Sequence, residues 1–498
     1  MVLFARKYLV KVTASLIFSV SSFISLIFVT RYVGEAYGMM MWGMAFVILI
    51  NTSLDVGFHS ANIKKVSEGN DINKCVSTYL FIRIAISTVT VFAVLLSSLI
   101  MNCLNSGFPA EFWMVAGVFV LYCMLDNITL VMTGTFIGNM DAGKESAVLA
   151  TEYLVRAAAL IAFAVTGASA VVLSFGYVFG AVAALIISFL LFRSLRVRLV
   201  RPAFFKEYAS FVTPFALPLM FIIIVAYIDK VMIGAYHGEL EVGFYTAAAG
   251  IVYSFIILGT VMNGLLLSHM SKLNAKGSTE EARNTLWAAQ KYLAVLMFPA
   301  TVFLLIFGNE TAVALFKEGF AASGPVLSVL ALNIYFAILA GMFSQVLLSA
   351  GRTVRYGRSA LVYAAVTVLL LFILIPGRYP DVPAGAVGAA AAIVTGMFIF
   401  VILLAWMAKR SGTAGIYPRI YVHAAAGAVV LAMLYCLKMW LGPSGIPALV
   451  LLSLLSVAVY AGLMVAVREL TKDDVRFVRD TLSPKGIYDD LRGGTKKN

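Results

Sequence analysis

The chain has 498 residues, of which 62% are hydrophobic and only 12% charged, and its mean hydropathy is +0.96. That balance excludes a soluble globular protein, in which about a quarter of the residues carry charge. The apolar residues fall into runs of about twenty, the length of helix that crosses ~30 Å of hydrocarbon, and the alternating pattern of an outer-membrane barrel is absent.

In chain order the runs predict spans at 12–30, 39–57, 75–102, 113–138, 147–167, 170–192 and 209–234. A second set follows at 243–270, 286–308, 324–350, 359–376, 384–408, 420–441 and 445–467, fourteen in all. The first run follows Arg6, Lys7 and Lys11, as in a signal peptide, but it is long and no small-residue cleavage site comes after it, so its retention is expected. The loops are short apart from 309–323, which puts function within the membrane.

Lysines and arginines orient such a chain, because they concentrate in cytoplasmic loops. With the N-terminus inside, Arg31, Lys317 and Arg378 are the three in outer loops, and Arg83, Arg156, Lys230 and Lys438 are the four in spans; the other thirty of 37 lie in inner loops and tails. Both termini are therefore expected in the cytoplasm, with the protein in the plasma membrane. The net charge of +13 follows from this topology and from attraction to anionic membrane lipids, so no nucleic-acid partner is invoked. Cys75, Cys103, Cys123 and Cys436 have no CxxC spacing, and the four histidines lie in separate loops and spans. HExxH, P-loop and dinucleotide motifs are absent, so no metal, cofactor or hydrolytic motor is expected. A secondary transporter fits.

An ionisable group at depth in the membrane is expensive and marks function by default. Counted at ~1.5 Å per residue, Arg83 lies ~12 Å, Arg156 ~14 Å and Asp126 ~20 Å from one end of spans three, five and four. The later spans offer only neutral groups such as Asn263, Asn333 and Gln345, apart from Asp229 and Lys230 in span seven. Two readings of the arginines stand together. A guanidinium stays ionised when desolvated and grips two phosphate oxygens at once, which suits Arg83 and Arg156 to an anionic substrate. Alternatively, Glu152 pairs with Arg156 at i, i+4, and Arg83 with Asp126, as structural ties. Asp55 is either a coupling site for a proton or cation or a helix-end residue. Asp229 and Lys230 are neighbours that point in different directions around a helix, so a shared partner is not expected. Met39 to Trp42 and Tyr245 read as packing or lipid-facing surface. Pro214 and Pro218 in span seven, with Pro299 in span nine, free backbone carbonyls, and bending there is expected to accompany alternation between inward- and outward-open states.

A repeat shows at the outer turns. Gly34-Glu35-Ala36-Tyr37-Gly38 and Glu239-Leu240-Glu241-Val242-Gly243 are both short, acidic and followed by spans rich in small residues. Their spacing of 205 would superpose spans one to six on seven to twelve. The stretches YVGEAYGMMMWGMAFVILINTSLDVGFHSANIKKVSEGND at 32–71 and IDKVMIGAYHGELEVGFYTAAAGIV at 228–252 resemble the polysaccharide transporter family, the O-antigen-type flippases of the multidrug/oligosaccharidyl-lipid/polysaccharide exporter superfamily. The resemblance implies an all-α integral membrane fold of two six-helix lobes around a central cavity, with spans thirteen and fourteen at the periphery. The corresponding regions are 1–208, 209–408 and 409–498. It also implies a lipid-linked oligosaccharide as substrate, moved from the inner to the outer leaflet by alternating access, and it places Asp229 or Lys230 at the cavity. The expected binding residues are thus Arg83, Arg156, Asp126 and Lys230, with Asp55, Glu152, Asp229, Pro214 and Pro218 in coupling or gating. A cation-coupled multidrug or metabolite antiporter of the same superfamily is the first alternative. A major facilitator is disfavoured, because Asp55-Val56-Gly57-Phe58-His59 stands where its Gly-x-x-x-Asp-Arg motif would. A membrane enzyme acting on lipid-linked glycans is the second alternative; the large outer loop or intramembrane His or Asp with a basic partner that such enzymes usually carry is not evident.

Overall fold

The computed structural model describes residues 2–104, 108–378, 384–410, 412, 415–442, 445–471 and 474. The basic tail beyond 474 lies outside the described residues, as does the side chain of Pro214. Among the described residues helices are the only regular elements. The first half holds α1 (Val2–Asp55), α2 (Phe58–Ser67), α3 (Ile72–Cys103), α4 (Ala110–Gly138), α5 (Ala142–Val165) and α6 (Ala170–Phe192). The second holds α7 (Phe205–His237), α8 (Glu239–Lys276), α9 (Thr279–Phe316), α10 (Ser323–Ser349), α11 (Thr353–Leu374) and α12 (Gly385–Arg410), followed by α13 (Ile420–Leu441) and α14 (Ile446–Ala466). All but α2 are long and apolar enough to cross a membrane, thirteen helices among the described residues.

The first helix accounts for two crossings. A straight helix of 54 residues would be ~80 Å long, yet Phe18 and Ile48 line one cavity. The chain doubles back at Val33, whose φ of −140° and ψ of 47° are not helical. Thirteen helices with one folded in two give the fourteen crossings that hydropathy predicts. Gly238 plays the same part between α7 and α8, at φ 86° and ψ 178°, a backbone conformation that favours glycine. It stands 205 residues after Val33 (238 minus 33), so the repeat seen at the outer turns is a repeat of helical hairpins.

The two hairpins are where the lobes meet: α1 packs against α7 and α8. Small residues let the backbones approach. Gly234 lies under the Trp42 indole, Gly250 under Leu26, and Gly38 against the Glu239 carbonyl. Within the first lobe α1, α4, α5 and α6 pack together, and in the second α10 sits at the centre against α8, α9 and α12. The α13–α14 pair attaches outside, against α9, with Gly427 facing Phe298. This is the expected two-lobe arrangement with two peripheral helices.

Local chemistry explains one departure from the hydropathy reading. The loop expected at 309–323 is helical as far as Phe316 and then forms a short 3-10 turn at Glu318–Phe320. Asn309, Glu310 and Thr311 end the apolar run there, but the backbone continues its ladder because Glu310 finds a cation, Lys438 at 2.7 Å. Pro214 and Pro218 both fall inside α7, which runs without a break from Phe205 to His237.

A side chain at Gly234 would fall within 2.4 Å of three Trp42 ring atoms, and overpacking of this kind costs ~1–3 kcal/mol. Gly234→Leu is therefore expected to lower the thermal unfolding midpoint in detergent. Gly117→Leu, at an exposed position with open space around it, is expected to leave it unchanged.

Candidate functional site

Between the lobes lies a cavity of about 590 Å³, within the range of ligand pockets, roughly 300–1,000 Å³. Both limbs of α1 line it, together with α4, α5, α6, α7 and α8. Its walls are mainly apolar, including Met40, Met41, Met44 and Ile48, and four charged residues reach it: Asp126, Glu152, Arg156 and Lys230.

Arg156 on α5 is held on three sides. Its Nη1 lies 3.4 Å from Glu152 Oε1, one turn earlier, and its guanidinium lies 4.8 Å from the ring centres of both Tyr153 and Tyr177. Tyr177 comes from α6, and Gly180 makes that approach close: a Cβ there would fall 2.9 Å from Arg156 Cβ. Cation–π contact of this kind fixes the orientation of a guanidinium while leaving its charge intact. Lys230 on α7 donates to Asp229 Oδ1 at 2.9 Å, to Oδ2 at 3.1 Å and to the Ala226 carbonyl at 3.0 Å. Tyr245 completes the group, donating to Asp229 Oδ2 at 2.6 Å. The two neighbours thus pair with each other, because the four-carbon stem of lysine curls back over one residue. Lys230 lines the cavity, whereas Asp229 is buried behind it.

Arg83 is elsewhere. It does not line the cavity but is 2% exposed in a polar knot between α1, α3 and α4. Its Nη2 lies 3.1 Å from Asp55 Oδ1, its Nε donates to the Tyr79 hydroxyl at 2.7 Å and its Nη1 to Asn127 Oδ1 at 3.0 Å. Asn127 in turn donates to Asn51 at 3.0 Å and to Ser87 at 2.9 Å. The tie is to Asp55 and not to Asp126, because successive residues on a helix lie about 100° apart: Asn127 faces the knot and Asp126 the cavity. The structure therefore brings together Asp126, Glu152, Arg156 and Lys230, and leaves Arg83, Asp55, Asp229 and Pro218 out of the cavity lining; the side chain of Pro214 lies outside the described residues.

The sequence reading missed the tyrosines. Tyr122, Tyr153, Tyr177, Tyr227 and Tyr253 all line the cavity. A signal for three of them was present: Tyr122 precedes Asp126 by four residues, Tyr153 precedes Arg156 by three, and Tyr227 precedes Lys230 by three, spacings that put ring and charge on one helical face. In the Met39 to Trp42 run, Met40 and Met41 line the cavity, while Trp42 is buried against Phe108 and Phe112.

The buried knot makes a direct prediction. Removing one partner of a buried ion pair costs ~3–5 kcal/mol, so Arg83→Met is expected to lower the unfolding midpoint sharply. Arg156→Gln, at the cavity wall, is expected to lower it little. Thermal unfolding in detergent distinguishes the two.

Comparison with known proteins agrees with this geometry. A lipid II flippase, MurJ, in an inward closed conformation superposes with a TM-score of 0.75 at 12% identity, over 93% of this chain and 99% of that one. An inward-facing multidrug resistance MATE family transporter of the MOP superfamily gives a TM-score of 0.63 at 14% identity, over 81% and 98%, and an outward-facing one 0.53 at 17%, over 80% and 95%. No curated protein sequence matches. The chain shares the fold of these structures. The model of the polysaccharide biosynthesis protein family matches residues 4–254, just over half of the 498, and the chain belongs to that family.

Proposed function

We propose that this protein is a flippase that moves a lipid-linked oligosaccharide from the inner to the outer leaflet by alternating access, with the basic face of the bundle and both termini in the cytoplasm. The observation that carries the reading is the pair of cations on the walls of one inter-lobe cavity, Arg156 from the first lobe and Lys230 from the second, among tyrosines. A lipid-linked sugar carries a phosphate or diphosphate next to its polyprenyl chain. Moving that anion through bare hydrocarbon costs ~tens of kcal/mol by ion-solvation arguments. A polar cavity with fixed positive charge removes most of that barrier while the lipid tail stays in the bilayer. Arginine and lysine bind phosphate oxygens by charge-assisted hydrogen bonds, and the tyrosine rings offer flat faces and hydroxyls to the sugar. Pro214 and Pro218 lie in α7, the helix that carries Lys230, and bending there would change its position between states.

The match to proteins of polysaccharide biosynthesis and the likeness to a structure described as a lipid II flippase support this reading. A second one, cation-coupled extrusion of drugs or metabolites, is favoured by a separate observation: the carboxylates of Asp126 and Glu152 also line the cavity, and the likeness to a multidrug resistance MATE family transporter supports it; the protein would then exchange a proton or cation for an organic cargo.

Reconstitution in liposomes with a lipid-linked oligosaccharide tests the choice. Protein-dependent arrival of the sugar at the opposite leaflet is expected, and Arg156→Gln is expected to slow it by about tenfold or more, the loss of one charge-assisted contact being worth ~1.5–3 kcal/mol. Absence of movement in the parent protein, or identical rates in the parent, Arg156→Gln and Lys230→Gln, would rule the proposal out. Cation-driven accumulation of an organic dye without movement of the sugar would establish the second reading.

A further inference from the structure

Two cations outside the cavity lining, Arg31 and Lys438, hold one helix, α9. Arg31, near the end of the first limb of α1, donates from Nε to the Leu315 carbonyl at 2.5 Å and from Nη2 to the Ala314 carbonyl at 2.6 Å. These carbonyls belong to the last turn of α9, where a helix has no internal donors left to offer. The Lys317 N–H caps Val313 instead. The guanidinium also meets the negative end of the helix dipole. Arg31 belongs to one lobe and α9 to the other, so the contact spans the lobe boundary at the Val33 face. Beside it the Lys317 ammonium lies 5.3 Å from the Tyr32 ring centre. Phe320 fills the notch above Gly34 and packs edge-on against Phe244 at 5.2 Å.

The helix that Arg31 holds is not straight. Phe307 has φ −107° and ψ 23°, outside the helical range. At that point Lys438 of α13 donates to the Ile306 carbonyl at 2.8 Å and pairs with Glu310 at 2.7 Å. A side chain that inserts into the hydrogen-bond ladder is one of the few causes of a sharp bend. Just past the bend, Gly308 lets the chain lie against α10: a Cβ there would fall 2.8 Å from the Gly324 carbonyl. Residues 308–316 are therefore a short arm with a defined pivot and a held tip.

We propose that this arm is the latch of the cavity on the Val33 face. It pivots at Phe307, Lys438 fixes the pivot to the peripheral helices, and Arg31 holds the tip closed against the opposite lobe. Opening toward that face requires Arg31 to release Ala314 and Leu315. Arg31 then has water or lipid phosphate as a substitute partner at the interface, so release has a low barrier compared with breaking a buried ion pair. The latch depends on the flippase reading only for its place in a transport cycle.

The test uses the full chain in sealed vesicles, with its four native cysteines replaced and a single cysteine introduced by Met41→Cys, on the cavity wall. A membrane-impermeant thiol reagent is added on the Val33 side. Arg31→Gln is expected to raise the labelling rate about tenfold, the loss of the charge-assisted hydrogen bonds being enough for that factor. Arg31→Lys, which keeps the charge but not the two-pronged geometry, is expected to raise it less. Labelling of Arg31→Gln at the parent rate would overturn the proposal. If that variant does not fold, Arg31→Lys carries the test, and its labelling at the parent rate would overturn it. Labelling that responds as expected in a protein that moves no lipid-linked sugar would leave the latch standing and remove the flippase reading.

Discussion

A charge left alone at mid-bilayer costs from about 3 to more than 10 kcal/mol, and much of this structure follows from how that cost is met. Each of the four cations that the sequence places within spans is answered by a carboxylate. Arg83 meets Asp55 at 3.1 Å, Arg156 meets Glu152 at 3.4 Å, Lys230 meets Asp229 at 2.9 Å and Lys438 meets Glu310 at 2.7 Å. Two of these pairs lie within one helix and two join helices. The joining pairs fix architecture: Arg83 ties α3 to α1 where the second limb ends, and Lys438 ties α13 to the bend of α9. The pairs within one helix impose no inter-helix geometry, and their cations face the cavity.

That division has a functional consequence. The Arg83–Asp55 pair between helices is costly to open because further hydrogen bonds depend on it, as the chain from Arg83 through Asn127 to Asn51 and Ser87 shows. A pair within one helix at a cavity wall can exchange its partner for an incoming anion without moving a backbone. In the proposed mechanism, Arg156 and Lys230 thus reach the cavity already neutralised, and a phosphate takes over part of the role of Glu152 or Asp229. The tyrosines around each cation keep it in place during such an exchange.

Much of the fold was legible in the sequence because hydropathy and charge act locally. The spans, the hairpin repeat at a spacing of 205 and the Glu152–Arg156 pair at i, i+4 all depend on near neighbours along the chain. What was not legible depends on tertiary contact. The partner of Arg83 is decided by which face of α4 turns inward, and hydropathy cannot distinguish Asp126 from Asn127 on that point. The pairing of Lys230 with its own neighbour depends on side-chain length and on Tyr245 arriving from α8. The helical stretch from Asn309 to Phe316 reads as a loop because the contacts that hold it, Lys438 to Glu310 and Arg31 to the carbonyls of Ala314 and Leu315, come from residues far away in sequence. The cavity tyrosines were the nearest miss, since three of them stand at helical spacing from a charge that had been singled out.

The central claim is that the inter-lobe cavity holds an anionic headgroup through Arg156 and Lys230. Native mass spectrometry of the purified protein with a polyprenyl diphosphate and with the matching uncharged polyprenol measures that directly. Retention of the diphosphate and not the alcohol, with the difference lost when Arg156 and Lys230 are both replaced by glutamine, is the result predicted. Equal retention of the two lipids by the unaltered protein would contradict it.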